Sequence, residues 1–473
     1  MKKLIYTFML LLGGMLSTTA CNDFLDVSPE TEKEKVEMLS KESGYKNVLV
    51  GAYIRMKSAS LYGGDLVYGT TEMLAQHWNN TTKATLPYYF SLFDYKASAV
   101  ESQMSTIYNG LFKVIADVNG LLEVIDDHKD VFKENNYELI KGEALAIRAF
   151  CHFDILRLFG PMPTNLPSEA ILPYVKTVST NPNSKVTYTE FTTNLLADLE
   201  LAEQLMKDRD PICSKSIDQL NSSASSTDDN FWMYRQMRMN YYAVCATLAR
   251  VHLWMGNKED ALGYAKAVID AEDATGKQMY RLGNSDDCAR GDFTLSCEHV
   301  FNMNVNDLAT TSLGTARGYE KTKSQLTNYL YGSGSTDIRL TYMWDYVYDD
   351  WNWTYNNYFK KYLQSANMPA ISKNTLPLIR LYEMYLIAME CSSLTDANAL
   401  YAQMCAARDI SPVDVTDALE LKELLIKEYN KEFYGEGQAF YMYKRLAVET
   451  IFYTSEKGSV ATYVIPLPKQ ETI

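Results

Sequence analysis

The chain has 473 residues, 47 % of them hydrophobic and 22 % charged, with a formal net charge of −14. That length suits two or three ordinary domains or one large composite one, and the composition is globular, not disordered. So acidic a surface repels phosphate backbones and anionic lipid, which argues against nucleic acid as a partner and against charge-driven membrane binding.

At the N-terminus, Lys2 and Lys3 precede an apolar run from Leu4 to Leu16, then small residues up to Ala20, then Cys21. This is a secretory leader over residues 1–20, too short for a standard spanning helix. The Cys directly after "STTA" resembles a bacterial lipoprotein signal, in which that residue becomes an acylated N-terminus. Thr18 stands where the signal usually has Leu. On this reading Cys21 is lipidated, residues 21–40 are a tether, and 41–473 form one composite domain anchored through several acyl chains. No later stretch approaches 18 uncharged apolar residues.

Helical spacing is clear in "YELIKGEALAIRAFCHFDILRLFGPMP", where Gly160 and Pro161 stop the pattern. Residues 241–270 read as two helices joined at Gly256-Asn257, a hairpin that resembles a tetratricopeptide repeat. Residues 378–408 and 418–446 have the same paired form, the second broken near Gly435-Glu436-Gly437. Between these pairs lie a polar stretch, 209–230, and a long insertion, about 271–375, with few helix signals. Trp232 and Tyr234 read as the start of the following helix, and Trp254 as core.

The insertion holds "WDYVYDDWNWTYNNYF", 344–359, in which eight of sixteen residues are aromatic. With Asp349-Asp350 as a two-residue turn, Tyr348 faces Trp351, Tyr346 faces Trp353 and Trp344 faces Tyr355. All six rings then fall on one side of a hairpin. Such a face either packs on the body or leaves rings at a rim for a ligand. Cys151, Cys245, Cys391 and Cys405 read as small buried hydrophobes, while Cys288 and Cys297 are free to pair though nothing demands it. There is no CxxC and the five His do not cluster, so no metal or cofactor is expected. Glu143, Arg148 and Arg157 share one helix and read as structural ion pairs, not a catalytic group.

"CNDFLDVSP" (21–29), "GEALAIRAFCHFDILRLFGPMP" (142–163), "LARVHLWMGNKEDALGYAKAVI" (248–269), "PLIRLYEMYLIAMEC" (377–391) and "YVIPLPKQE" (463–471) together resemble the SusD/RagB family, in the family's order. The resemblance implies a mainly α fold of tetratricopeptide-like helix pairs with long irregular insertions and a small β-hairpin. It implies a cell-surface, outer-membrane lipoprotein without catalysis. Such a protein captures oligosaccharide for a SusC-like TonB-dependent transporter. Peptide binding, as in the RagB branch, is the alternative, and a lipoprotein glycosidase is a third class. In the helix near 428–445, Glu428, Glu432, Glu436, Gly437 and Arg445 keep the family's pattern, while Tyr429, Ala439 and Met442 replace charges. That predicts an ion-pair network exchanged for neutral packing.

Glycan binders of this family contribute a Trp and an Asn from the region of "AQHWNNTTKAT" (75–85), which maps to Trp78 and Asn80. Trp78 sits among polar residues without apolar periodicity, so its ring is expected to be exposed or half-exposed. The full candidate set is Trp78, Asn80, Trp344, Tyr346, Trp351 and Trp353, with no catalytic residue.

Overall fold

The computed structural model describes residues 37–78, 82–179, 181–222, 230–311, 321–349 and 354–471. Residues 1–36, with the expected leader and Cys21, lie outside this set. Ten helices of eight residues or more carry the described part: α1 Glu42–Met56, α2 Ser98–Leu122, α3 Asn136–Phe159, α4 Tyr188–Met206, α5 Tyr241–Met255, α6 Lys258–Ile269, α7 Leu381–Cys391, α8 Leu394–Ala407, α9 Ala418–Glu432 and α10 Ala439–Leu446. From α1 to α7 each helix packs on the next. α7 then meets α8 and α9, and α9 meets α10. Neighbour-on-neighbour stacking of this kind is how tetratricopeptide-like arrays bury their faces. The α5–α6 joint closes as expected: Asn240 caps α5, and Gly256 ends it at φ +83, a left-handed value that suits glycine.

Helix α3 is buried along all of 142–159, charged residues included. Charges there need partners, because an unpaired buried charge costs far more than its packing returns. Each has them. Glu143 receives Arg235 and Arg238. Arg148 binds Asp198 through Nε and Nη2 at 2.7 and 2.6 Å. Arg157 binds Asp154 on its own helix. These four are structural ion pairs, as the sequence indicates.

Among the described residues two two-stranded antiparallel sheets complete the architecture: β1 His299–Asn304 with β4 Thr375–Arg380, and β2 Trp344–Asp349 with β3 Thr354–Phe359. Only the second is expected from sequence. The helix predicted from Leu378 starts at Leu381 instead, since Leu378, Ile379 and Arg380 finish the fully buried β4. A short apolar run has no periodicity to separate a buried strand from a helix turn. Trp232 and Tyr234 also differ from expectation. They precede α5 in a 3-10 turn and a left-handed residue, Trp232 buried with Nε1 donating to Asn136 and Tyr234 exposed. Trp254 is core. All seven described cysteines are free thiols.

The largest correction concerns α9. Tyr429, Ala439 and Met442 are indeed buried neutral residues, but the ion-pair network persists with partners from elsewhere. Arg380 reaches Glu298 at 2.7 Å, Glu432 at 2.6 Å and Glu436 at 2.8 Å. Arg408 reaches Glu298 and Glu432 at 2.8 and 2.9 Å. Arg339 joins Glu428 to Asp337, both at 2.7 Å, and Lys361 pairs with Glu436. Burial pushes the Glu432 carboxyl up, yet the Arg408, Arg380 and Arg339 guanidiniums outweigh it and hold Glu432 well below the usual carboxylate range. Removing one member of such a cluster strands the rest, at roughly 3–5 kcal/mol. Arg380→Met should therefore lower the unfolding free energy by about 3–5 kcal/mol in a urea titration. A loss under about 1 kcal/mol would show that the cluster contributes little to stability.

Candidate functional site

The aromatic hairpin forms, in a different register from the one expected. Trp344 lies opposite Phe359, Tyr346 opposite Asn357 and Tyr348 opposite Tyr355. Asp349 is still in the ladder, opposite Thr354. Relative to the expected register, pairing moves four places along β3, and residues 350–353 lie outside the described residues. An even shift preserves side-chain parity. Trp344, Tyr346 and Tyr348 therefore keep one face, now completed by Asn357 and Phe359. Trp351, Trp353 and Asn80 lie outside the described residues.

At the root of the hairpin the rings are interior. Trp344 and Phe359 pack against each other at 5.1 Å between centroids, and each lies 5.0 Å from Tyr434. Trp78 joins the same cluster, 6.0 Å from Phe359 and 5.5 Å from Tyr434, with its Nε1 donating to the Tyr68 carbonyl at 2.8 Å. Trp78 and Trp344 are both 5 % exposed. Two tryptophans singled out from stretches some 270 residues apart thus converge, but as a foundation. The expectation of a half-exposed Trp78 ring is corrected: its indole satisfies a buried carbonyl, and its faces are covered.

Polar groups lock this foundation. Glu72 accepts from the amides of Gly435 and Gly437 at 2.7 and 2.8 Å and binds His77 Nδ1 at 2.7 Å. Gly435 and Gly437 have φ of +77 and +74, and a Cβ on Gly435 would come 2.6 Å from the Phe359 ring. Both positions need glycine. Tyr362, just past β3, donates to the Gly435 carbonyl at 2.6 Å.

Toward the tip the same face opens to solvent. Tyr346 is 53 % exposed and Tyr348 41 %. The Lys323 ammonium lies over the Tyr346 ring at 5.7 Å. On the other face Asp345 binds Lys360 at 2.6 Å. Lys321 runs beside β3, exchanging backbone hydrogen bonds with Asn357 at 3.1 and 3.0 Å. Its Nζ sits over the Tyr453 ring at 4.0 Å and lies 3.5 Å from the Gln76 carbonyl. Tyr453 in turn contacts the exposed Tyr329 at 5.1 Å. Sequence reasoning misses Lys321, Tyr329 and Tyr453. They carry no periodicity or motif, and Tyr453 follows the hairpin by about a hundred residues.

The chemistry available is therefore recognition by exposed tyrosine rings, each with an apolar face and a hydroxyl, on a rigid base. Among the described residues no His, Cys, Asp and Glu side chains converge as a metal site, and no helix is long and apolar enough to cross a membrane.

Comparison with known proteins agrees with this architecture. Residues 23–215 match the SusD-like family described as starch-binding and associating with outer membrane. A SusD-like protein of Formosa agariphila is 26 % identical over 166 residues, 34 % of this chain and 30 % of that relative's length. A SusD superfamily protein from Bacteroides thetaiotaomicron superposes with a TM-score of 0.66 at 19 % identity, covering 91 % of this chain and 97 % of that one. Surface glycan-binding protein A from Bacteroides uniformis gives a TM-score of 0.65 at 16 % identity, covering 92 % and 98 %.

Lys321 generates a pH test of this geometry. It is fully buried, and burial lowers its ammonium to about 7, against the opposing pull of Glu72. The unfolded chain keeps that proton up to about pH 10.4. Stability from this group therefore falls as pH drops from 10.4 to 7 and stays reduced below 7. Lys321→Met should raise the melting temperature at pH 6, with the gain shrinking toward pH 10 in scanning calorimetry. An equal gain at both pH values would show that the folded lysine keeps its proton.

Proposed function

The chain belongs to the SusD family, and we propose that it binds oligosaccharide at the cell surface and delivers it to a SusC-like TonB-dependent transporter. The observation that carries this reading is the hairpin face, with Tyr346 and Tyr348 exposed above a Trp344–Phe359–Tyr434 base. A sugar ring has apolar C–H faces and hydroxyl edges, which suit a tyrosine plane and its neighbouring polar groups. The names of several solved neighbours point the same way, one being a surface glycan-binding protein.

In this reading the protein performs no catalysis. Glycoside hydrolysis needs two carboxylates flanking the bond, roughly 5–10 Å apart. In the hairpin Asp345 is tied to Lys360, and the interior glutamates Glu298, Glu428, Glu432 and Glu436 are held by arginines. Residues 1–20 act as the leader and Cys21 as the lipid anchor. Asn80, Trp351 and Trp353 extend the recognition surface, following Trp78 and joining β2 to β3 in the chain. Cys21→Ser should move the protein from the membrane fraction to the soluble one, and retention in the membrane would refute the anchor.

A glycan array beside a peptide pool tests the ligand. The chain from Asn22 onward should bind one glycan class. Tyr346→Ala and Tyr348→Ala should each weaken binding about tenfold, roughly 1.4 kcal/mol, with unfolding free energy within about 0.5 kcal/mol of the parent. Trp344→Ala should instead destabilise the fold by about 3–5 kcal/mol. Binding of peptides and not glycans would move the chain to the peptide-binding alternative.

A further inference from the structure

A neutral imidazole has one N–H and one lone pair, so the partners of a buried histidine reveal its state. His152 is neutral by this test. Its Nδ1 lies 2.9 Å from the Arg148 carbonyl oxygen, which only accepts, and its Nε2 receives the Val175 amide at 2.9 Å. Burial accordingly lowers its pKa to about 3.

His77 has different company. It is fully buried beneath the aromatic hairpin and stacks on Tyr434 at 4.3 Å between centroids. Its Nδ1 lies 2.7 Å from Glu72 Oε2, and its Nε2 lies 2.8 Å from Asn430 Oδ1. The Asn430 amide cannot be turned round. Its Nδ2 donates to the Ile426 carbonyl at 2.6 Å, and the opposite orientation would set two acceptor oxygens together at that distance. Tyr443 donates to the same Oδ1 at 2.5 Å. Nε2 therefore carries a proton. On the other side, Glu72 also accepts from the Gly435 and Gly437 amides at 2.7 and 2.8 Å. Such donors favour the ionised carboxylate, which has no hydrogen to give. Nδ1 therefore donates as well. A ring that donates from both nitrogens is an imidazolium cation. Its charge is tolerated inside because Glu72, equally buried, pairs with it.

The remaining titratable groups around His77 come from three other segments. The Tyr434 hydroxyl donates to the His77 carbonyl oxygen, and Tyr453 meets the imidazole edge-on at 6.5 Å. Lys321 reaches the adjacent Gln76 carbonyl at 3.5 Å and is drawn by Glu72. Loss of either His77 proton would leave a lone pair facing an oxygen at under 3 Å, on Glu72 or on Asn430. Neither oxygen can become a donor where it stands, and no solvent reaches the pair to screen it.

We propose that His77 is a proton switch for the seat of the hairpin. As a cation it ties the Glu72 clasp on the Gly435–Gly437 turn to α9 through Asn430. As a neutral ring it lets go on one side. The turn carries Tyr434 and Gly435, on which Trp344, Phe359 and Tyr362 rest. Alkaline pH therefore loosens the base of the hairpin while the helical body stays folded. This switch does not depend on which ligand the hairpin takes.

The test is NMR on the chain from Asn22 onward, labelled with 15N in histidine and tryptophan, from pH 6 to pH 10. His77→Gln assigns the His77 ring. The Trp78 indole reports on the base, since its Nε1 donates to the Tyr68 carbonyl and its ring lies 5.5 Å from Tyr434. At pH 6 both His77 ring nitrogens should carry hydrogen, whereas His152 should show one bare nitrogen. As the pH rises, His77 should lose one proton, and the Trp78 indole signal should shift with the same midpoint. Far-ultraviolet circular dichroism should not change through that midpoint. Asn430→Leu keeps the histidine but removes the acceptor at Nε2, so it should move the midpoint to lower pH. If His77→Gln does not fold, the ring that responds to Asn430→Leu is His77. A bare His77 nitrogen at pH 6 overturns the cation. Two protons retained to pH 10 overturn the switch, as does proton loss without a Trp78 shift or together with loss of helix.

Discussion

Arg339, Arg380, Arg408 and Lys361 are enclosed with Glu298, Glu428, Glu432 and Glu436 in one contiguous set of buried charges. No single pair in it spans the fold, but the set does. It joins the segment before β1, the end of β4, α8's C-terminal boundary and α9 with the residues that lead into and out of the aromatic hairpin. Ionic groups taken out of water are tolerable only when each is met on several sides. Here Arg380 and Arg408 both bridge Glu298 and Glu432. The geometry of this cluster therefore dictates where β3 ends and where the chain after α9 must turn.

The hairpin inherits its rigidity from that arrangement. Lys361 and Tyr362 directly follow β3, and they are held by Glu436 and by the Gly435 carbonyl. Phe359 fills the space that a side chain at Gly435 would need. Glu72, from the short helix Thr70–Leu74, clasps the same glycine turn and places His77 and Trp78 beneath the strands. Loops on a rigid scaffold are where proteins concentrate recognition. In this chain the scaffold reaches into the hairpin as far as Trp344 and Phe359, and exposure begins at Tyr346.

Much of this was readable from sequence. The helix pairs around Gly256 and around Gly435–Gly437 show in spacing and in glycine stops, and the hairpin shows in its period-two rings. What sequence withheld were long-range facts. β4 was hidden because five apolar or neutral residues in a row fit a strand and a helix equally well. The α9 glutamates looked unpartnered because their arginines lie as much as 93 residues away. Trp78 looked like a surface ring because its neighbours in sequence are polar, whereas its neighbours in space, Phe359 and Tyr434, are not. The hairpin's face was legible although its register was not, since parity survives an even shift.

That parity has a consequence for divergence. A two-stranded ribbon fixed at one end adds or loses rungs only at its free end. Each added rung presents its side chains opposite to the one below, so growth by two rungs restores the same ring-bearing side. Residues beyond Tyr346 and Asn357 can thus be exchanged or extended with the helices and the buried charges untouched. Reach and chemical preference at the tip are free to drift while the body stays superposable, which fits a chain whose fold matches across 91 % of its length at 19 % identity.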